Sequence, residues 1–332
     1  MGEPQSSETR VSRAQPDGAD TRSVRISSAE FGGGRYVADI AVTGAGLRVL
    51  EWEGPHGPRA LTETWEVGTR PPLSAGLILA PWPNRIRDGH FVFDGIDHQL
   101  EITEPVLGNA SHGFVRRRDW RVTNRADDRV ALAIDVGLHK GWPYPLRLTV
   151  EYAVGRDGLT VTHTATNTGA IPAPFGMGFH SYVRVGDVPL DECTLRLSAG
   201  TRLPLDERML PSAASQAVIG TDYDFTSPRS LAGVVLDTPF SALDVDADGR
   251  SRHVLRAPDG TGTMLWAARE FGWLQVFIAD PDSGKSYPGR GRALALEPMT
   301  CPPNAFNSAI DQLVLTPGQQ WSGSWGMCVS DA

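Results

Sequence analysis

Eight histidines and 39 carboxylates are spread over this chain of 332 residues, and three segments set such groups in surroundings suited to proton transfer. The first is Leu296-Glu297-Pro298-Met299-Thr300-Cys301-Pro302-Pro303. One carboxylate follows the alternating apolar run Ala293-Leu294-Ala295-Leu296, and three prolines stiffen what comes after. Proline fixes φ and cannot donate to a strand ladder, so the chain is expected to leave its sheet at Glu297. A carboxylate held at a strand end can be fixed in position and partly desolvated, and general-base chemistry needs both. The second segment is Phe175-Gly176-Met177-Gly178-Phe179-His180-Ser181-Tyr182. The third joins Asn84-Arg85-Ile86-Arg87-Asp88-Gly89 to Ser111-His112-Gly113-Phe114. His112 and His180 sit beside glycines and aromatics, where backbone can approach a ligand closely and an imidazole can be shielded from water. Taken singly, each histidine would read as a packed, hydrogen-bonded side chain and Glu297 as a solvated one. Together they point to acid–base chemistry.

The remaining histidines, His56, His90, His98, His139, His163 and His253, lack that context. His163 lies in phase with Leu159 and Val161, so its ring is expected to face a core. No GxSxG elbow, P-loop or HExxH motif is present. Gly176-Met177-Gly178 begins like a dinucleotide fingerprint, but Ser181 stands where the third glycine belongs and no helix pattern follows. His112, His180, Asp237 and Glu297 are metal-ligand types, yet they are scattered without diagnostic spacing, and a site without metal is expected.

The elements that must position these groups read as strands. The 36 glycines and 25 prolines exceed the roughly 12% of average usage, punctuation that suits many short strands better than long helices. Alternation runs through Val37–Val42 and Leu47–Trp52. Phe91 and Phe93 alternate before Asp94-Gly95, a two-residue hairpin signal. The clearest hairpin spans Leu146 to Asn167, with Thr160, Thr162, Thr164 and Thr166 on its solvated face. Trp273 to Ile278 is a further strand. The fold class expected is all-β: one large antiparallel β-sandwich over residues 29–332, preceded by a polar, disordered leader over residues 1–28.

A net charge of −8 and a pI near 5.5 argue against nucleic acid, since the densest basic cluster, Arg116-Arg117-Arg118, is short and meets Asp119. Three widely spaced cysteines read as reduced thiols of a cytoplasmic protein. No apolar stretch approaches the ~18 residues of a membrane span, so no membrane partner is expected.

Asn84-Arg85-Ile86 with Gly89, His112-Gly113, Gly178-Phe179-His180-Ser181-Tyr182, Leu236-Asp237 and Leu296-Glu297-Pro298-Met299-Thr300 occur in the order seen in aldose 1-epimerases, the galactose mutarotase-like proteins. The resemblance covers roughly residues 30–328. It departs at Ser181, where the family usually has proline. It implies a β-supersandwich that binds a monosaccharide, needs no cofactor and works as a monomer or homodimer. It also implies roles: Glu297 as the base that takes the O1 proton, His180 as the acid that protonates the ring oxygen, and His112 assisting at that oxygen. Arg85, with Asn84 beside it, and Asp237 would hold sugar hydroxyls. Trp142 and Tyr144 could stack on a pyranose face or pack in the core. Burial would raise Glu297, and its carboxylate would help keep His180 protonated. Two alternatives stay open: a hexose-6-phosphate 1-epimerase, whose phosphate pocket would draw on Arg116-Arg117-Arg118, and a non-catalytic sugar-binding protein of the same fold.

Overall fold

The structure, a computed structural model, describes residues 22–330. It is all-β and antiparallel, and its single α-helix among the described residues is the four-residue Ala305–Ser308. A nine-stranded sheet contains the hairpin Leu146–Gly155 and Gly158–Asn167, paired from Leu146↔Asn167 to Gly155↔Gly158. Gln320–Val329 lies beside the hairpin's second strand. Thr160 is exposed and Thr162, Thr164 and Thr166 are half-buried, whereas Leu159, Val161, His163 and Ala165 between them are buried. An eight-stranded sheet carries Asp237–Leu243, Trp273–Ala279 and Ala293–Met299 side by side, then Gly178–Phe179 and Ile78–Leu79. Ser181–Val183 also pairs with Ala293–Met299. Phe93↔Ile96 closes the Asp94-Gly95 hairpin, both turn residues having positive φ as a tight two-residue turn demands.

Two expectations need correction. The polar leader was placed at residues 1–28, but Ser23–Ser27 is a strand paired with Arg35–Ala41, from Ser23↔Ala41 to Ser27↔Val37. Val24 and Ile26 are its buried face. Two apolar positions in a Ser- and Arg-rich run are a weak local signal, and pairing with a distant strand makes the element. Residues 1–21, the rest of that leader, lie outside the described residues. The chain also does not leave its sheet at Glu297. Ala293–Met299 continues through Pro298, with Gln275↔Glu297, Leu274↔Pro298 and Trp273↔Met299 on one side. On the other side ladder pairs stand at Ser181↔Leu296 and Gly178↔Met299, and none is formed between them. A proline without a donor fits opposite that gap.

The two large sheets meet through aromatics. Phe179 packs on Trp325 at 4.4 Å between ring centroids, and Trp325 Nε1–H donates to His163 Nε2 at 3.0 Å. His163 is wholly buried, and burial pushes its pKa down from the usual 6.5 to about 3. Between those values the unfolded chain binds a proton that the native state refuses. The neutral ring therefore supports the fold fully above the unfolded value, and that support is lost as pH falls toward 3. His163→Asn should cost about 1–3 kcal/mol by leaving the Trp325 N–H unpaired. It should also flatten the acid-side loss of stability by about 1.4 kcal/mol per pH unit. Urea unfolding of both proteins across that acid range is the check. An unchanged slope would mean the ring is already protonated in the fold.

Candidate active site

Strand alternation builds the site. In Trp273–Ala279, Leu274, Val276 and Ile278 enter the core, which turns Gln275 and Phe277 to the opposite face. In Ala293–Met299, Leu294 and Leu296 are core residues and Glu297 projects with Gln275 and Phe277. The register on either side, Ser181↔Leu296 and Gly178↔Met299, sets His180 opposite Glu297. Phe179 points inward to Trp325, so His180 points into the cleft. The outcome is a contact of 3.4 Å between His180 Nε2 and Glu297 Oε1, both side chains being buried. Ser181, at the family's usual proline position, donates its hydroxyl to the Leu296 carbonyl and so ties these two strands together.

His112 reaches the same cleft from a different direction. Asn84 and His112 both have left-handed φ, 54° and 60°, an uncommon conformation for such residues. Each holds the other. His112 N–H donates to the Asn84 carbonyl at 2.8 Å, and Asn84 N–H donates to His112 Nδ1 at 3.1 Å. Because Nδ1 accepts, a neutral His112 carries its proton on Nε2. Gly113 is required here: at φ 61° an added Cβ would stand 1.8 Å from the Ala80 carbonyl oxygen. The rings of His112 and His180 lie 5.9 Å apart, edge to face.

A chain of polar side chains lines the floor. Glu104 takes Arg85 in two hydrogen bonds, 2.7 and 2.9 Å, and Arg85 Nη1 donates to Asn84 Oδ1 at 3.2 Å. Asn84 Nδ2 donates to Gln275 Oε1 at 3.3 Å, and Gln275 Nε2 donates to Asp237 Oδ1 at 2.7 Å. Lys285 stands 3.5 Å from Asp237 Oδ2. The cleft above has a volume of about 280 Å³, near the lower end of the roughly 300–1,000 Å³ of small-molecule sites. His180 Nδ1, Glu297 Oε2 and the Tyr182 hydroxyl are buried without a protein hydrogen-bond partner. The first two belong to side chains that line the cleft, and buried polar atoms left unpaired call for a partner. Among the described residues no three His, Cys, Asp or Glu side chains form a metal-holding group.

Burial dominates the electrostatics. It pushes Glu297 well above the carboxylate range; Asp237 pushes the same way and Arg85 opposes. Burial lowers His180 to about 3, with the Arg116 and Arg85 guanidiniums adding to the effect. His112 is driven well below its usual value by burial first, then by Arg116 and His180. The expectation that Glu297 would keep His180 protonated is therefore corrected. Burial works against the charged form of both groups, and the nearby guanidiniums repel an imidazolium.

Of the residues singled out from sequence, the structure gathers Glu297, His180, His112, Arg85, Asn84 and Asp237 around one cleft. Trp142 is not among them. It is wholly buried, donates Nε1–H to the Tyr144 carbonyl at 2.8 Å and packs on Trp82, Phe114 and Phe306. The core reading is the right one for Trp142, and Tyr144 is buried beside it. Gln275 was missed, although it is the one polar residue in the buried run Trp-Leu-Gln-Val-Phe-Ile-Ala. Tyr182 was quoted without a role, yet its ring stacks on His180 at 5.4 Å. No helix among the described residues is long and apolar enough to cross a membrane.

Known proteins agree with this architecture. The family model described as aldose 1-epimerase matches residues 29–327. An uncharacterised protein of Escherichia coli, YihR, is 32% identical over 86% of this chain and 88% of its own. The aldose 1-epimerase of the same bacterium is 29% identical over 74% and 77%. Among solved structures, a GalM/aldose epimerase homologue from Caenorhabditis elegans superimposes with a TM-score of 0.81 at 19% identity, covering 93% of this chain and 99% of that one. A galactose 1-epimerase from Lactobacillus acidophilus gives 0.73 at 15%, covering 93% and 99%; at these identities the likeness speaks for the fold. With a family match over most of its length and a relative above 30% identity, this chain belongs to the aldose 1-epimerase family.

Proposed function

We propose that the protein is an aldose 1-epimerase that interconverts the α and β anomers of a hexose, with Glu297 as base and His180 as acid. The observation that carries this reading is the buried contact between His180 Nε2 and Glu297 Oε1. Anomer exchange requires opening the ring, rotating about C1–C2 and closing on the other carbonyl face. Opening takes one proton from O1 and puts one on O5, and both oxygens are bonded to C1. One acid and one base that touch each other can serve two such neighbouring atoms. A protein that only bound sugar would have no need to bury both.

The pair holds one proton. It reacts with Glu297 as carboxylate and His180 as imidazolium, while sugar hydroxyls satisfy both charges. Glu297 accepts the O1 proton, the C1–O5 bond breaks, and His180 gives its proton to O5. Glu297 is then protonated and His180 neutral, the distribution that burial favours. The dry site thus stabilises the opened aldehyde relative to the starting ion pair. His112, with Nε2–H free to donate, supports O5 alongside. Closure on the other face returns both protons. Arg85, Asn84, Gln275 and Asp237 lie along the floor, where they can hold the remaining hydroxyls.

Glu297→Gln keeps the shape and removes the base. It should lower kcat by about 10² or more and change sugar binding only several-fold, as read by polarimetry and calorimetry. Near-normal turnover in this variant would sink the assignment. Activity should also survive dialysis against EDTA; loss that a divalent ion restores would establish a metal requirement. The pH profile tests the electrostatics. A second proton is gained only at the lowered His180 value, and the single proton is lost only at the raised Glu297 value. On the acid side kcat/KM should therefore not fall at the usual histidine value but only toward pH 3. A decline as the pH passes down through the usual histidine value would show that an unshifted imidazole controls the rate.

A further inference from the structure

Three groups of the cleft, Asn84, Arg85 and His112, stand on one small ribbon. Arg85–Arg87 pairs with Asn109–Ser111, from Arg85↔Ser111 to Arg87↔Asn109, in a two-stranded sheet separate from the two large ones. Asn84 directly precedes its first strand and His112 directly follows its second. A two-stranded ribbon is marginal by itself, and these strands have three residues each. The outer edge of Arg85–Arg87 therefore matters for where the three groups stand.

Asn304 meets that edge. Its N–H donates to the Arg85 carbonyl at 2.7 Å, and Arg87 N–H donates to its Oδ1 at 3.0 Å. One residue of a parallel partner strand would make the same two bonds, donating to one residue and accepting from the second one beyond it. Asn304 has left-handed backbone, φ 60° and ψ 25°, so its side-chain oxygen stands in for the carbonyl of such a strand. Asparagine is a favoured N-cap, yet this one makes no side-chain cap hydrogen bond to the helix Ala305–Ser308 that follows it. Asn307 Nδ2 donates to Asn304 Oδ1 at 2.8 Å and to the His90 carbonyl at 2.9 Å, which orients the amide toward the ribbon. Phe306, buried against Trp82, Phe91 and Trp142, anchors the helix. Thr300 grips the segment before His180 with the same pair of groups. Its N–H donates to the Met177 carbonyl at 2.8 Å, and Met177 N–H donates to its Oγ1 at 2.9 Å. The chain leaving Glu297 thus clasps first the segment of the acid and then the ribbon of Arg85.

We propose that Asn304 is a positioning residue for the sugar site: by holding the backbone on either side of Ile86 it sets the place of the Arg85 guanidinium. Asn304 itself does not line the cleft. The proposal rests on the epimerase reading, in which Arg85 holds sugar hydroxyls. Hydroxyls away from C1 are held alike in the closed ring and the transition state, so misplacing Arg85 raises KM and spares kcat. Asn304→Gly keeps the left-handed backbone and the N–H to Arg85 but deletes Oδ1. Asn304→Asp keeps an acceptor there and tolerates that backbone. With polarimetry on the sugar that the wild-type protein equilibrates fastest, Asn304→Gly should raise KM about fivefold or more and leave kcat within about twofold. Asn304→Asp should stay within about twofold of wild type in both. Asn307→Ala, at an exposed position, releases the same oxygen and should raise KM in the same sense; it decides alone if circular dichroism shows Asn304→Gly unfolded. In an Arg85→Gln background, Asn304→Gly should add less than about twofold. Wild-type KM in both Asn304→Gly and Asn307→Ala would overturn the proposal. Asn304→Asp as impaired as Asn304→Gly would overturn it too, and so would a full effect of Asn304→Gly without the Arg85 guanidinium. If the wild-type protein equilibrates no sugar faster than Glu297→Gln does, the epimerase reading fails, and this role with it.

Discussion

His180 and Glu297 meet because of what stands one residue away from each of them. Phe179 and Leu296 are core residues, Phe179 lying on Trp325 of the opposite sheet, and successive side chains of a strand point to opposite faces. Once those two positions are committed to the core, the imidazole and the carboxylate must share the cleft face. A slip of one residue would exchange each apolar residue for its polar neighbour and bury two ionisable groups between the sheets, which the core would not tolerate. The geometry of the His180–Glu297 pair is therefore held by aromatic packing on the far side of the sheet. Trp325, fixed in turn by its hydrogen bond to His163, is part of the scaffold of a site it does not touch.

The burial that fixes the pair also sets its chemistry. Desolvation raises a carboxyl and lowers an imidazole, so the two groups are pushed toward one shared proton and no net charge. The surrounding guanidiniums act unequally. Arg85 has Glu104 as a bidentate partner and Asn84 as a second acceptor, so its charge is largely answered on the spot. Arg116 meets, among the described residues, a hydroxyl and a carbonyl, and its charge is felt by both histidines. Two arginines that line one cleft thus differ in how far their charge is answered by the protein.

Elements whose signals are local were legible in the sequence. The Asp94-Gly95 turn and the hairpin from Leu146 to Asn167 carry their own turn residues and alternation, and they form as read. Glu297, His180 and His112 could be singled out because each combines an ionisable group with unusual punctuation beside it. What escaped depends on pairing between distant segments. Ser23–Ser27 becomes a strand through Arg35–Ala41, and Pro298 stays in its sheet because the neighbouring ladder is interrupted opposite it. Trp142 could stack on a sugar or pack in a core as far as its own surroundings tell. Only the placement of Trp82, Phe114 and Phe306 around it decides for the core. Gln275 did have a local signal, a lone amide in a buried strand, and the sense of that signal lies in Asn84 and Asp237 on either side.

Asn84 and His112 show how the loops are bound to the sheet that carries the pair. Both adopt left-handed backbone, which costs about 1–3 kcal/mol per residue unless the surroundings compensate. Their two mutual hydrogen bonds are part of that compensation, and a second effect follows from them. The bond into His112 Nδ1 fixes which ring nitrogen keeps the hydrogen, so a backbone amide one loop away determines that Nε2 is the donor. The side chain of the same Asn84 then reaches Gln275, whose backbone pairs with Glu297. One residue in a disfavoured conformation thereby ties the histidine's tautomer to the strand that carries the carboxylate. The strain is located where position matters most, and an unstrained residue at 84 would loosen both connections at once.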